Sequence, residues 1–149
     1  MKYRIIAAML AGAATAAQAG PPAPAPNGGL YRGGDLSYVN EMEDCGAVYR
    51  LHGKPIDPFT LLKSEGGNLV RVRIWVNPTW TKYSNYADVL KTIRRAHAAG
   101  LQVLLDFHYS DTWADGGKQI APAAWANLSA DDQVKALYEY TLGPLRQLD

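Results

Sequence analysis

Residues 99–118 read AGLQVLLDFHYSDTWADGGK. Gly100 can close a helix, and the apolar run that follows is too short to be one. The run ends in a burst of Asp, His, Tyr, Ser and Trp. This pattern predicts a buried strand that delivers polar residues to a site. A period of two sets Val103, Leu105, Phe107 and Tyr109 on one face, and Leu104, Asp106, His108 and Ser110 on the other. An isolated Asp/His pair can simply satisfy itself inside a core. Here the polar burst lies only at the C-terminal end of the run and continues through Asp111, Trp113 and Asp115. Parallel α/β architectures bind ligands beyond the carboxyl ends of their strands, so Asp106, His108, Asp111 and Trp113 are read as site residues.

Upstream, residues 68–76 read NLVRVRIWV and predict a second strand. Val70, Val72, Ile74 and Val76 share one face, and Arg71, Arg73 and Trp75 the other. Two arginines on one face of a buried strand are costly unless they are paired or line a polar cavity. Trp75 on the same face, with Asn77-Pro78 closing the strand, points Arg73 at the site, while Arg71, one step deeper, fits either role. Between the two strands, Asn85 caps a helix whose positions Tyr86, Val89, Leu90, Ile93, Ala96 and Ala99 keep helical spacing. A first short strand falls in Leu30 to Leu36 around Gly33-Gly34-Asp35. Asp35 at its end suits a turn or cap as well as a site.

Ser37 to Ile56 reads as a long polar loop with a hairpin near His52-Gly53-Lys54-Pro55. Asp57-Pro58 then opens a short helix ended by Gly66-Gly67. After the third strand a loop runs to Leu128, and Ser129 with Asp132 resembles a capping box. Val134, Leu137, Tyr138, Thr141, Leu145 and Leu148 form the predicted apolar stripe of a last helix, which Gly143-Pro144 should kink. Strand starts at about residues 30, 69 and 102 recur at the spacing of βα units. The fold class is therefore α/β, with the recurrence typical of βα units in a (β/α)8 TIM barrel.

The chain opens with basic Met1-Lys2-Tyr3-Arg4, an alanine-rich apolar run and Ala17-Gln18-Ala19. This is the pattern of a secretory signal peptide over residues 1–19, shorter than the roughly 20 apolar residues of a membrane span. Residues 20–29, GPPAPAPNGG, read as a Pro/Ala-rich linker, and 30–149 as the barrel domain. The expected destination is the periplasm or the exterior, with no membrane attachment after signal removal. Fifteen basic and fourteen acidic residues leave a net charge of +1, with no basic patch to hold nucleic acid. Cys45 is the single cysteine, so no intrachain disulfide can form. Neither HxxEH nor CxxC spacing occurs, and no metal or cofactor is expected.

The run VLLDFHYSDTWAD with GKQ soon after, preceded by VRVRIWVNP and by GGDLS, resembles the endo-β-1,4-galactanases of glycoside hydrolase family 53. The resemblance runs from residue 29 to 149, with one departure at Gly116-Gly117, where that family often has Pro-Gly. It implies that these are the N-terminal three βα units, truncated, of a (β/α)8 TIM barrel that cuts the β-1,4-galactan side chains of pectin, a polysaccharide substrate laid across the C-terminal face of the strands. By this similarity Arg73 and His108 surround the catalytic carboxylates, giving orientation and electrostatic support. Indole faces suit sugar rings, which makes Trp75, Trp80, Trp113 and Trp125 stacking candidates. The substrate-binding set is thus Asp35, Arg73, Trp75, Asp106, His108, Asp111 and Trp113. A related barrel acting on mannan or cellulose, or a carbohydrate-binding fragment without catalysis, uses the same features.

The resemblance also implies two catalytic glutamates at the ends of the fourth and seventh strands, the first within Gly-Asn-Glu. The glutamates present are Glu41, Glu43, Glu65 and Glu139, none at a predicted strand end. Catalytic residues are therefore expected beyond residue 149, and the chain alone is expected to be an inactive fragment of a retaining glycosidase.

Overall fold

The computed structural model describes residues 29–148; the expected signal peptide and nearly all of the expected linker fall outside the described residues. Three parallel strands carry the fold: β1 (Gly33–Asp35), β4 (Leu69–Trp75) and β5 (Gln102–His108), in the order β1-β4-β5. Parallel pairing in sequence order requires a crossover after each strand. The first crossover holds α1 (Val39–Asp44), the hairpin β2 (Arg50–Leu51) and β3 (Lys54–Pro55), and α2 (Pro58–Ser64). The second holds α3 (Tyr86–Ala98), and α4 (Ala130–Leu148) follows β5.

Local chemistry explains most element ends. The Asp57 carboxylate accepts from the N–H groups of Phe59 and Thr60 at 3.0 Å each, with Pro58 opening α2. Asn85 caps α3 through the Asp88 N–H at 3.1 Å, and Gly100, at φ +71°, turns the chain into β5. Ser129 Oγ accepts from the Asp132 N–H and donates to the Asp132 carboxylate at the start of α4. Gly33 is required by close approach: a Cβ there would lie 2.1 Å from the Leu69 carbonyl oxygen of the neighbouring strand.

One face of the sheet is dry. Val70, Val72 and Ile74 of β4 pack with Val103, Leu105 and Phe107 of β5 against Phe59, Val89, Ile93 and Ala96 of the helices. The other face carries Arg71, Arg73, Trp75, Leu104, Asp106 and His108, so the period-two assignment holds in both strands. Leu104 lies exposed on that polar face.

Three expectations are corrected. The stretch from Ser37 to Ile56 contains α1 besides its hairpin. Its Tyr38 N-cap makes no side-chain cap bond; the helix is held by long-range contacts. Asn40 donates to Asp88 and to Thr92 Oγ1 at 2.8 Å, and Glu43 pairs with Arg95. The last helix is rotated from its predicted stripe. Leu148 packs on the core as expected, but its companions there are Tyr140 and Pro144, while Val134, Leu137, Tyr138 and Leu145 are exposed. Tyr140 decides this, because its hydroxyl donates to the Trp75 carbonyl at 2.7 Å while its ring meets Phe107 edge-on. Gly143-Pro144, where the kink is expected, lies within the span of α4. The third correction concerns Trp75 and belongs to the site.

Candidate functional site

Register builds the site. Asp35 lies opposite Arg71, Arg71 opposite Leu104, Arg73 opposite Asp106 and Trp75 opposite His108. With side chains alternating, all the polar members emerge on one face of three adjacent strands. Arg71, which the sequence left between two roles, is the centre of this row. Its two terminal nitrogens diverge, Nη1 to the Asp35 carboxylate on one side and Nη2 to the Asp106 carboxylate on the other. Only a planar fork can join the two outer strands in this way.

The Asp106 carboxylate also meets His108 Nε2 at 3.1 Å. A carboxylate can only accept, so Nε2 carries the proton and Nδ1 is left as the acceptor of the neutral ring. Burial, aided by repulsion from the Arg73 and Arg71 guanidinium groups, pulls the His108 pKa below its ordinary value and outweighs the opposing pull of Asp106. At Asp35 burial pushes the carboxyl up. The hydrogen bonds from Ser37 and the Arg71 guanidinium reverse this, and its pKa lies below the usual aspartate value. Asp35 is thus a strand-end ion-pair partner that also turns the chain, accepting the Ser37 N–H at 2.9 Å.

Arg73 is only 1% exposed. Its Cζ lies 4.6 Å from the Tyr38 ring centroid, 4.3 Å from Trp75 and 4.1 Å from Trp113. Such desolvated cation–π contacts are worth about 0.5–2 kcal/mol each, so the aromatic enclosure replaces much of the hydration that the guanidinium loses. Burial still pulls its pKa below the ordinary arginine value. Trp75, read as a stacking surface, is also 1% exposed, since Trp80 and Trp113 cover it at centroid distances of 5.1 and 5.8 Å. It has no free face for a sugar and acts as the wall behind Arg73. The exposed aromatic surface belongs instead to Trp80, 59% exposed, and Trp113, 42% exposed, with Tyr38 beside Trp113 at 6.0 Å.

Asp111 holds this surface in place. Its carboxylate accepts the N–H groups of Asn77 and Ala123 at 2.9 Å each, and its carbonyl accepts Trp80 Nε1 at 3.0 Å. The loop after β4 and the loop after β5 are therefore clamped together by one side chain. Trp125 lies apart, packed on Tyr109 and Tyr140 over α4. Arg73 Nε, Trp75 Nε1 and His108 Nδ1 are buried with no protein partner among the described residues. Two donors and one acceptor thus stand in reserve where buried polar groups are normally paired. Among the described residues no three His, Cys, Asp or Glu side chains converge as a metal site would require.

Tyr38 and Ser84 complete the surroundings of Arg73 and were not singled out from the sequence. Tyr38 follows Asp35 by three residues in a stretch read as loop, and Ser84 lies in a loop with no motif. Nothing local marks either.

A family model described as Glycosyl hydrolase family 53 matches residues 31–149. Over 150 residues the chain is 53% identical to an arabinogalactan endo-beta-1,4-galactanase of Cellvibrio japonicus, covering all of this chain and 39% of that protein. An endo-beta-1,4-galactanase of Bacillus subtilis is 45% identical over 82% of this chain and 30% of its own length. Among solved structures, one from a study of two fungal beta-1,4-galactanases superposes with a TM-score of 0.76 at 41% identity. It covers 80% of this chain and 36% of that one. A glycosyl hydrolase family 53 catalytic domain of Ignisphaera aggregans gives 0.73 at 34% identity, over 83% and 37%. The chain thus spans about two-fifths or less of the length of these proteins.

Proposed function

This chain belongs to glycosyl hydrolase family 53, and from that premise we propose that it forms the substrate-contacting first part of a secreted endo-β-1,4-galactanase. The observation that carries the reading is the polar row Asp35, Arg71, Asp106 and His108 on one face of three parallel strands, with His108 beside Trp113 and with the exposed faces of Trp113 and Trp80 on the loops that follow β5 and β4. Sugars need flat apolar surface with hydrogen-bonding groups at its rim, and this geometry offers both. In the proposal, Trp113 and Trp80 stack on galactosyl rings. Asp106 and His108 contact hydroxyl groups, while Arg73 lends positive potential near the reacting bond. Asp35 and Asp111 hold the strands and loops that carry them. The N-terminal 19 residues direct the protein to the periplasm or the exterior.

Retaining hydrolysis requires two carboxyl groups about 5–5.5 Å apart across the scissile bond. Glu41 and Glu43 lie on α1, Glu65 follows α2 and Glu139 lies on α4, none at a strand's C-terminal end. We therefore assign both catalytic glutamates to barrel strands outside these 149 residues. By this assignment the chain binds galactan and does not cut it. Titrating the purified chain with β-1,4-galactotetraose, mannotetraose and cellotetraose, followed by tryptophan fluorescence, tests the site: binding of the galactoside alone is expected. Equal response to all three sugars, or release of galacto-oligosaccharides by the chain itself, would overturn the proposal.

A further inference from the structure

Behind the site, the loop between β4 and α3 ends in a strained residue. Ser84 has φ +55°, a left-handed conformation that is rare for a residue with a Cβ. His52, at φ +48°, is the other such residue among those described, and it sits at the exposed tip of the β2–β3 hairpin. Ser84 is buried, and all three of its polar groups are engaged. Its N–H donates to Asp88 Oδ2 at 2.8 Å, and its carbonyl accepts the Trp75 N–H at 2.8 Å. Its hydroxyl accepts Arg73 Nη2 at 3.1 Å.

Besides this bond only the Tyr38 hydroxyl acts on the Arg73 guanidinium as a hydrogen-bond partner among the described residues, and no carboxylate there pairs with it. The three aromatic rings around Arg73 restrict the plane of the guanidinium, but a π face resists in-plane rotation only weakly. The bond from Nη2 to Ser84 then helps to set which nitrogens point toward the site. We propose that Ser84 is a positioning residue for Arg73, and that its left-handed backbone persists because it brings the hydroxyl back to β4 while the carbonyl ties to Trp75.

The support behind Ser84 is continuous. Asp88 Oδ1 accepts from Asn40 Nδ2 at 2.8 Å, and Asn40 Oδ1 accepts from Arg95 Nη1 at 2.9 Å. Arg95 pairs with Glu43 and with the α2 cap Asp57, both at 2.6 Å. Arg73 is thereby fixed to α1, α2 and α3 rather than to a mobile loop.

Were Ser84 only a turn residue, glycine would suit φ +55° better and nothing else would change. The two roles separate in Ser84→Gly and Ser84→Ala, studied in the 15N-labelled 149-residue chain. The wild type should show distinct, slowly exchanging Nη resonances for Arg73, shifted by the surrounding rings. In Ser84→Gly the melting temperature should hold or rise as strain is released, yet the Nη resonances should merge into an exchange-averaged signal. Ser84→Ala should merge them too, with a lower melting temperature. Galactotetraose affinity should fall about fivefold in both, the size of one ordinary hydrogen bond. That last expectation rests on the galactan reading, and a wild type that fails to bind the sugar would sink that reading while leaving the resonance test decisive. Nη resonances unchanged in Ser84→Gly would overturn the proposal, as would loss of cooperative folding in both variants, which would make Ser84 a folding residue.

Discussion

Replacing Arg71 by methionine removes the one side chain that joins β1, β4 and β5 across their polar face, while keeping its stem volume. The side chains of Arg71, Asp35 and Asp106 are 38%, 40% and 30% exposed, so neither ion pair is fully desolvated. An exposed pair contributes about 0.2–1 kcal/mol, and the shared fork puts each of these near the upper end. The expected loss is about 2 kcal/mol, which for a domain of this size lowers the melting temperature by about 8 °C. Arg71→Lys, whose single ammonium reaches one carboxylate at a time, should cost about half as much. Burial raises the Asp35 pKa, but the Ser37 and Arg71 interactions hold it below 3.8. The stability it contributes is complete above that pH and is lost as pH falls through the folded value. Arg71→Met should therefore differ most from wild type at neutral pH and least in acid. Urea denaturation at low salt, with Asp35→Asn and the double variant closing a thermodynamic cycle, measures the coupling. A loss under about 0.5 kcal/mol at pH 7, or strict additivity in the cycle, would refute the reasoning.

His108 has a folded pKa below 6.5, chiefly through burial, so the unfolded chain takes up its proton first. Stability should begin to fall as pH drops below 6.5, and His108→Gln should remove that slope from a series of melting curves between pH 7.5 and 5. Asp111→Ala deprives two backbone N–H groups of their acceptor where water can partly replace it, costing about 1–2 kcal/mol. Faster proteolysis within residues 77–85 and 111–128 should accompany it, with a red-shifted tryptophan emission. Gly33→Ala drives a Cβ into the Leu69 carbonyl and should detach β1, lowering stability by at least about 2 kcal/mol in denaturant titration. Amide exchange should localise that loss to β1, whereas protection equal to the wild type there would count against the close-packed pairing.

Local chemistry was enough for much of this molecule. The two-residue alternation of β4 and β5 placed Arg73, Asp106 and His108 on one face because a strand's pleat requires it, whatever its neighbours. Asp57, Asn85 and Ser129 announced helix starts because a cap bonds within its own turn. What remained hidden depends on groups far apart in sequence. Arg71 became the centre of the row only when parallel register set Asp35 on one side and Asp106 on the other. Trp75 was withdrawn from the surface by Trp80 and Trp113, which arrive on separate loops clamped by Asp111. The face that α4 buries was chosen by one bond from Tyr140 to the Trp75 carbonyl, 65 residues away in the chain. Helix α1 is anchored through Arg95 and Asp88 rather than by any cap of its own. Periodicity and capping are short-range and can be read in a line of letters, whereas ion-pair sharing and aromatic burial exist only once distant segments meet.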